Sequence, residues 1–155
     1  MAKHQLRLIA LDEQDLEVVS SHLQDAVVRV GEMAYVPSQK RFAAILNRFN
    51  WEKATKVAKN NENERRRTAL RFDRVLGAQI KALKPSASDQ VLSLLAVRFE
   101  ASDHPSGHVT LTFSGDASIR LQVECIEAEL TDLGPVWRAR SKPQHPGDEP
   151  GAASS

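Results

Sequence analysis

The side chains of this sequence that could do chemistry are mainly the arginines and lysines of its middle third. Residues 40–84 contain 13 of the 21 basic residues but only 4 acidic ones, a net charge of +9. The flanking segments are acidic, −3 for residues 1–39 and −5 for residues 85–155. A surface with such a bias attracts anions at long range, and guanidinium groups bind oxyanions through paired donors. The sequence therefore predicts an anion-binding site formed by Arg41, Arg48, Arg65, Arg66, Arg67, Arg71 and Arg74.

The same charge distribution has a structural explanation that stays open at this point. The basic strands could pair with the acidic first helix and the acidic C-terminal part, which would leave a mixed surface. If the basic residues 40–84 converge instead, the expected partner is an acidic protein or a phosphate-bearing ligand such as RNA. Aromatic residues make up only 5% of the chain, so contacts to backbone phosphates are expected rather than base stacking.

No catalytic residue, metal site or cofactor is predicted. Cys125 has no neighbouring base and lies beside Glu124, whose carboxylate opposes thiolate formation, so a packing role at an inward position is favoured. His104, His108 and Asp103 form one small polar cluster, whereas a closed metal site generally needs four ligands. The sequence has no glycine-rich phosphate loop and no nucleophile-elbow pattern. The leading hypothesis is therefore a non-enzymatic binding module with a basic face.

Two other hypotheses come from different features. Arg74 lies at an inward phase of a predicted strand, so it either forms a structural ion pair or marks a pocket of an enzyme of unknown reaction. An exposed sheet edge could instead pair two copies of the chain in a homodimer, which would indicate a structural or assembly role.

The elements that must position these residues are one helix and a series of strands. Residues Gln5–Leu11 alternate as a strand does, and Asp12–Ala26 has apolar residues at helical spacing after an N-capping aspartate. Glu52–Arg67 is polar and is predicted to be a mobile loop. The turn Ser114–Ala117 joins the two clearest strands as a hairpin. The strands after the helix are predicted at Val28–Tyr35, Arg41–Trp51, Leu70–Ala82, Val91–Phe99, Val109–Phe113 and Ile119–Cys125.

Two positions in this pattern decide details of the fold. The strand Leu70–Ala82 is long, so a bend is predicted near Gly77. Ile126, Leu130 and Leu133 are spaced as in a helix that Gly134 would end, although Ile126, Ala128 and Leu130 also fit a longer strand.

The predicted fold is α+β: mainly an antiparallel β barrel or sandwich with one N-terminal and one C-terminal helix. Hairpins followed by a terminal helix resemble a pleckstrin-homology-like domain in element order. Residues 1–140 are expected to form a single globular domain. Residues 141–155 are rich in proline and glycine and are expected to be a disordered tail.

The composition also predicts a compartment. One cysteine cannot form an intrachain disulfide, which favours a reducing cytoplasm. The apolar run Leu8–Leu11 is too short for a signal-peptide core, and no segment approaches the roughly 20 apolar residues of a membrane span. We therefore expect a cytoplasmic protein without a membrane partner.

Several segments resemble an uncharacterised family of small alphaproteobacterial proteins, a domain of unknown function, over about residues 6–145. The resemblance implies a bacterial cytoplasmic protein and carries over no catalytic residue. The segments that carry it are Leu8-Ile9-Ala10-Leu11-Asp12, His22-Leu23-Gln24-Asp25-Ala26-Val27, Lys40-Arg41-Phe42, Asn47-Arg48-Phe49-Asn50-Trp51-Glu52, Arg65-Arg66-Arg67-Thr68, Leu94-Leu95-Ala96-Val97-Arg98-Phe99 and Leu121-Gln122-Val123-Glu124-Cys125-Ile126-Glu127-Ala128.

Overall fold

The computed structural model describes residues 5–49, 64–134 and 137–138. They form ten strands and one α-helix. In chain order the elements are β1 Arg7–Ala10, α1 Glu13–Leu23, β2 Ala26–Val36, β3 Arg41–Phe49, β4 Glu64–Asp73, β5 Val75–Lys81, β6 Val91–Ala101, β7 Gly107–Phe113, β8 Ser118–Val123, β9 Ala128–Asp132 and β10 Trp137–Arg138. The predicted N-terminal helix and the hairpin of β7 and β8 are confirmed. The predicted tail 141–155 and residues 52–63 of the predicted loop Glu52–Arg67 lie outside the described residues. The loop prediction is wrong for residues 64–67, which begin β4, and those of them that pair with β3 are Arg65, Arg66 and Arg67.

Helix α1 begins where the sequence placed its N-cap. The Asp12 carboxylate accepts a hydrogen bond from the Asp15 amide at 2.8 Å, which satisfies one of the free amides of the first turn. Glu13 and Asp15 add negative charge at the positive end of the helix dipole. Leu16, Val19 and Leu23 form the buried face of the helix, which packs mainly against β6.

All described strand pairs are antiparallel and belong to one sheet. The strand order is β1-β9-β4-β3-β2-β6-β7-β8-β5, and β10 pairs with the start of β4. The path is open, with β1 at one end and β5 at the other, so the described strands form an open sheet and not a closed barrel. Only Arg74 separates β4 from β5, although β5 ends the path and β4 lies near its other end. The sheet must therefore curve back on itself, and the alternate inward side chains enclose one core.

The predicted C-terminal helix is wrong. Residues 128–132 form β9, which lies between β1 and β4 and is hydrogen bonded to both. Ala128, Leu130 and Asp132 point inward and are buried, whereas Glu129 and Thr131 are only half-buried. The apolar residues of this segment fit both the helical period and the strand period. The segment is extended because both of its edges form hydrogen bonds, one with β1 and the other with β4. Without a terminal helix, the analogy with a pleckstrin-homology-like domain loses its basis.

The predicted long strand Leu70–Ala82 is broken at Arg74, and the bend predicted near Gly77 corresponds to an irregularity between Val75 and Gly77. Arg74 has a φ of 63°, in the left-handed region, and a register shift follows between Val75 and Gly77. One residue in this conformation interrupts the alternation, so Arg74 points to solvent and Val75 points to the core. The inward phase predicted for Arg74 is therefore wrong.

Strand β6 changes its partner halfway along its length. Residues 91–94 pair with β2, but the next residues pair only with β7 within the described chain. Helix α1 lies on the side that β2 leaves: the Val97 amide donates to Ser20 Oγ at 2.9 Å. The Asp25 amide donates to the Leu94 carbonyl at 2.8 Å. The helix thus satisfies backbone groups that the sheet leaves unpaired.

Candidate anion-binding site

A chain of ion pairs crosses the outer surface of four adjacent strands. Arg7 on β1 contacts Glu129 on β9 at 2.7 Å, and Arg71 on β4 contacts Glu129 at 2.8 Å. Arg71 also contacts Asp73 at 3.0 Å, and Asp73 contacts Arg41 on β3 at 2.8 Å. Two of the predicted anion-binding residues, Arg41 and Arg71, therefore already share carboxylates of the protein itself.

Arg74 and Lys40 meet a second group of carboxylates just before β9. Arg74 Nε lies 3.1 Å from Glu127 Oε1, and Arg74 Nη1 lies 3.6 Å from Glu124 Oε1. Lys40 Nζ contacts the other oxygen of Glu124 at 3.2 Å. The Arg74 side chain is 55% exposed and lies at the surface, where both of its contacts are with carboxylates. This position gives no support to an enzyme pocket around Arg74.

The three consecutive arginines of the predicted anion-binding site, Arg65, Arg66 and Arg67, are divided between the two faces of β4. Successive side chains of a strand point to opposite faces, so Arg66 is buried while Arg65 and Arg67 point outward. Arg67 lies 3.7 Å from Glu32 on β2. Arg65 lies over the Phe49 ring at 5.6 Å from the ring centre. Sequence adjacency therefore does not place these three guanidinium groups around one anion.

Arg66, whose side chain points inward, belongs to a buried group of charged residues at the end of the sheet. Arg48 and Arg66 are directly opposite each other on β3 and β4, and both face Asp132 on β9. Asp132 accepts two hydrogen bonds from Arg48 at 3.0 Å, one from Thr68 Oγ1 at 2.8 Å and one from the Leu6 amide at 2.8 Å. Arg66 Nη1 is farther away, at 3.4 Å. The side chains of Arg48 and Asp132 are 1% and 0% exposed.

Three carboxylates have lowered pKa values: Asp73 and Glu129 of the surface ion pairs, and Asp132 of the buried group. Burial alone would raise the pKa of Asp132 and of Asp73, but hydrogen bonds from Arg48 to Asp132, and from Arg41 and Arg71 to Asp73, outweigh burial. The pKa of Glu129 is lowered chiefly by its hydrogen bond from Arg7. Each carboxylate is therefore held in its charged form by arginines from neighbouring strands.

Acid is expected to destabilise the protein because of these three groups. Their ordinary pKa values are 3.8 for aspartate and 4.5 for glutamate. In the unfolded chain these carboxylates bind protons near their ordinary pKa values, whereas in the folded chain they bind protons only at lower pH. The stabilisation is therefore complete above about pH 5 and is lost as the pH falls through the lowered folded-state values.

Urea denaturation midpoints measured from about pH 7 to pH 3 check this prediction. The midpoint should hold steady down to about pH 5 and then fall. A midpoint that stays constant to about pH 3 would contradict the assignment of these ion pairs.

Further exposed cations lie elsewhere, on the outer face of β5, β8, β7 and β6. Their register aligns Gln79, Arg120, Thr110 and Arg98 in one row across the four strands. The next row consists of Lys81, Ser118, Thr112 and Ala96. We call six of the seven polar side chains in these rows, all except Gln79, the basic row face. They are Lys81, Arg98, Thr110, Thr112, Ser118 and Arg120.

The three cations of the basic row face have no acidic partner in the part of the chain that the structure describes. Lys81, Arg98 and Arg120 are exposed, and none lies within 4.0 Å of a described carboxylate oxygen. Adjacent strands are about 4.8 Å apart, so the backbones at Arg98 and Arg120, two strands apart, are separated by about 10 Å. Glu100 lies in the next row, opposite His108, and Asp116 lines a depression together with Lys81, but neither forms an ion pair with these cations. The face therefore keeps a positive charge that the arginines of β3 and β4 have lost to ion pairs.

The cations of the basic row face line shallow surface depressions. One of about 510 Å³ is lined by Lys81, Ser118 and Arg120, among others. Another of about 370 Å³ lies between α1 and β6 and includes Arg98. Lys81, Arg120 and the Ser118 hydroxyl line the first depression, an arrangement that suits phosphate oxygens. In the second depression Arg98 lies among other residues that include Glu13 and Glu17.

Sequence reasoning missed this face because it summed charges by segment. Arg98 and Arg120 belong to the segment 85–155, whose net charge is −5. The signal was present, because both arginines occupy polar phases of strands that were correctly predicted. Their approach depends on the register of β6, β7 and β8, which the sequence did not supply.

The other reactive side chains form no site among the described residues. Cys125 is a free, half-buried cysteine and is less enclosed than its predicted inward position implied. His104 is exposed in the turn before β7, and His108 lies half-buried on that strand. No group of three or more histidine, cysteine, aspartate or glutamate side chains in the described ranges is placed to hold a metal ion.

The described residues define a class of protein: an antiparallel open sheet with one α-helix, ion pairs both on the outer surface and in the interior, and a face with three cations that have no described acidic partner. The chain belongs to the family DUF2948, which is described as proteins of unknown function. The family model matches residues 6–145. Comparison with curated proteins and with solved structures finds no match. Among the described residues, no helix has the length and apolar character that a membrane span requires.

Proposed function

We propose that this protein is a non-enzymatic binding module whose basic row face binds a phosphate-bearing polymer such as single-stranded RNA. The observation that carries the proposal is the alignment of Lys81, Arg98 and Arg120 on one outer face without described acidic partners. The arginines predicted from the sequence are mostly ion paired, so they support the proposal less than these three residues do.

The chemistry of the basic row face favours phosphate over an acidic protein. Phosphate oxygens accept hydrogen bonds from arginine, lysine and hydroxyl groups, and Thr110, Thr112 and Ser118 lie between the cations. A stable protein interface needs apolar or aromatic anchors at its centre, whereas the exposed large apolar side chains in these depressions, Leu95 and Ile80, lie on the outermost strands of the face, β6 and β5. Contacts to a polymer backbone require no such anchor.

The proposal can be tested by anisotropy of a fluorescent oligouridylate of about 12 nucleotides at about 50 mM salt. The variant Arg98→Ala/Arg120→Ala should bind about tenfold more weakly than the wild type, because two phosphate contacts are lost. The matched control is Arg41→Ala/Arg74→Ala. It makes the same change in net charge at two exposed arginines that already have carboxylate partners.

The result that supports the proposal is a loss confined to the Arg98/Arg120 variant. An equal loss in both variants would indicate an effect of net charge alone and would overturn it. A polyglutamate peptide that binds the wild type more tightly than the RNA would favour an acidic protein partner instead.

The cytoplasmic location and the alphaproteobacterial source inferred from the sequence belong to this proposal and stay predictions. A homodimer through a sheet edge also stays a prediction. The outer edge of β5 has no strand partner within the described residues.

A further inference from the structure

The buried centre at Asp132 contains more donors than its carboxylate can accept. A carboxylate offers about four lone-pair positions. Arg48 takes two of them at 3.0 Å, and Thr68 and the Leu6 amide take one each at 2.8 Å. The contact from Arg66 Nη1, at 3.4 Å, is the fifth and the longest. Asp132 is therefore saturated before Arg66 is counted.

The Arg66 guanidinium is left short of acceptors in a buried position. The residue is only 6% exposed, and its Nε is buried without any hydrogen-bond partner. A buried guanidinium without acceptors is unfavourable, because the charged group has lost its hydration without replacement. The edge that carries Nε is the part of the group that can form a forked pair of hydrogen bonds with one oxyanion.

We infer that the Arg66 guanidinium is a binding site for a small oxyanion, a phosphate or carboxylate group, which occupies the Nε edge that Asp132 does not reach. The site lies inside the end of the sheet where β3, β4 and β9 meet. The basic row face lies on the outer surface of β5 to β8, so this inference does not rest on the proposed function.

The test is the thermal stability of the full chain in phosphate, in acetate and in chloride at equal ionic strength. At about ten times the dissociation constant, an oxyanion bound only by the folded state should raise Tm by about 3–6 °C above the chloride value. Phosphate and acetate are compared because the fork fits both, and the larger rise identifies the preferred group. No rise over chloride with either anion overturns the inference.

A matched pair of variants localises the effect. Arg66→Lys keeps the charge but removes the planar fork, so the rise in Tm should be lost. Arg41→Lys makes the same change at an ion-paired surface arginine and should keep the rise. An unaltered rise in Arg66→Lys overturns the site.

A direct measurement on the wild type does not depend on the folding of a variant. The Arg66 Nε–H resonance, observed by NMR in ¹⁵N-labelled protein, should shift as phosphate or acetate is added. A resonance that does not move at saturating concentrations of both anions overturns the inference.

Discussion

Asp132→Asn is expected to lower the free energy of unfolding by about 3–5 kcal/mol. The substitution keeps the size of the side chain but removes the charge that two buried arginines face. Arg48 would then be a buried cation whose two short contacts to this carboxylate have lost their charge complement. Asparagine also replaces one acceptor oxygen by a donor amide, which would meet the donors of Arg48, Thr68 or Leu6.

Urea denaturation followed by circular dichroism measures this loss, provided that the slope with denaturant is unchanged. Glu127→Gln is the control, because it removes an acid whose partner, Arg74, lies at the surface. The control should leave the midpoint nearly unchanged, since exposed ion pairs are screened by solvent. A loss in Asp132→Asn no greater than that of the control would show that the buried centre contributes little.

RNA binding by the wild type is expected to weaken about 20-fold between about 50 and 200 mM salt. The three cations of the basic row face would each displace a counterion from a single-stranded polymer. The logarithm of affinity should therefore fall with the logarithm of salt at a slope of about −2. Arg98→Ala/Arg120→Ala leaves Lys81 alone, so its slope should be about −0.7 and its loss about threefold.

The slope is measured by repeating the anisotropy titration at several salt concentrations. The Arg41→Ala/Arg74→Ala control should keep the wild-type slope, because both arginines are already paired with carboxylates. Equal slopes for the wild type and the Arg98/Arg120 variant would contradict the assignment of phosphate contacts to those two residues.

The structural explanation of the charge distribution, which the sequence left open, is supported by the contacts of β4 and β9. The acidic run at 124–132 supplies the carboxylates that face the basic middle third. Glu129 faces Arg71, Glu127 faces Arg74, and Asp132 faces Arg48. Antiparallel pairing places segments far apart in sequence side by side, so opposite charges in distant segments become cross-strand neighbours.

The sequence by itself determined the elements whose periodicity had one interpretation. The N-cap at Asp12 and the apolar spacing after it gave the helix, and the alternation at 109–123 gave the β7–β8 hairpin. These features are local, because capping and side-chain alternation depend on residues within a few positions of one another. The strand position of Arg65, Arg66 and Arg67 was not predictable in this way, because the polar run before them predicts a loop and only pairing with β3 makes them part of β4.

Where the residue spacing fits more than one conformation, only the tertiary structure decided which conformation the segment adopts. Ala128–Asp132 became a strand because β1 and β4 flank it, and Arg74 became a surface residue because its backbone is left-handed. Register then determined which charges meet: it buried Arg66 beside Asp132 and aligned Arg98 with Arg120 across β7. Net charge along the chain carries no information about register, and a strand shifted by one residue presents the opposite face. The location of uncompensated charge is therefore a property of the assembled sheet.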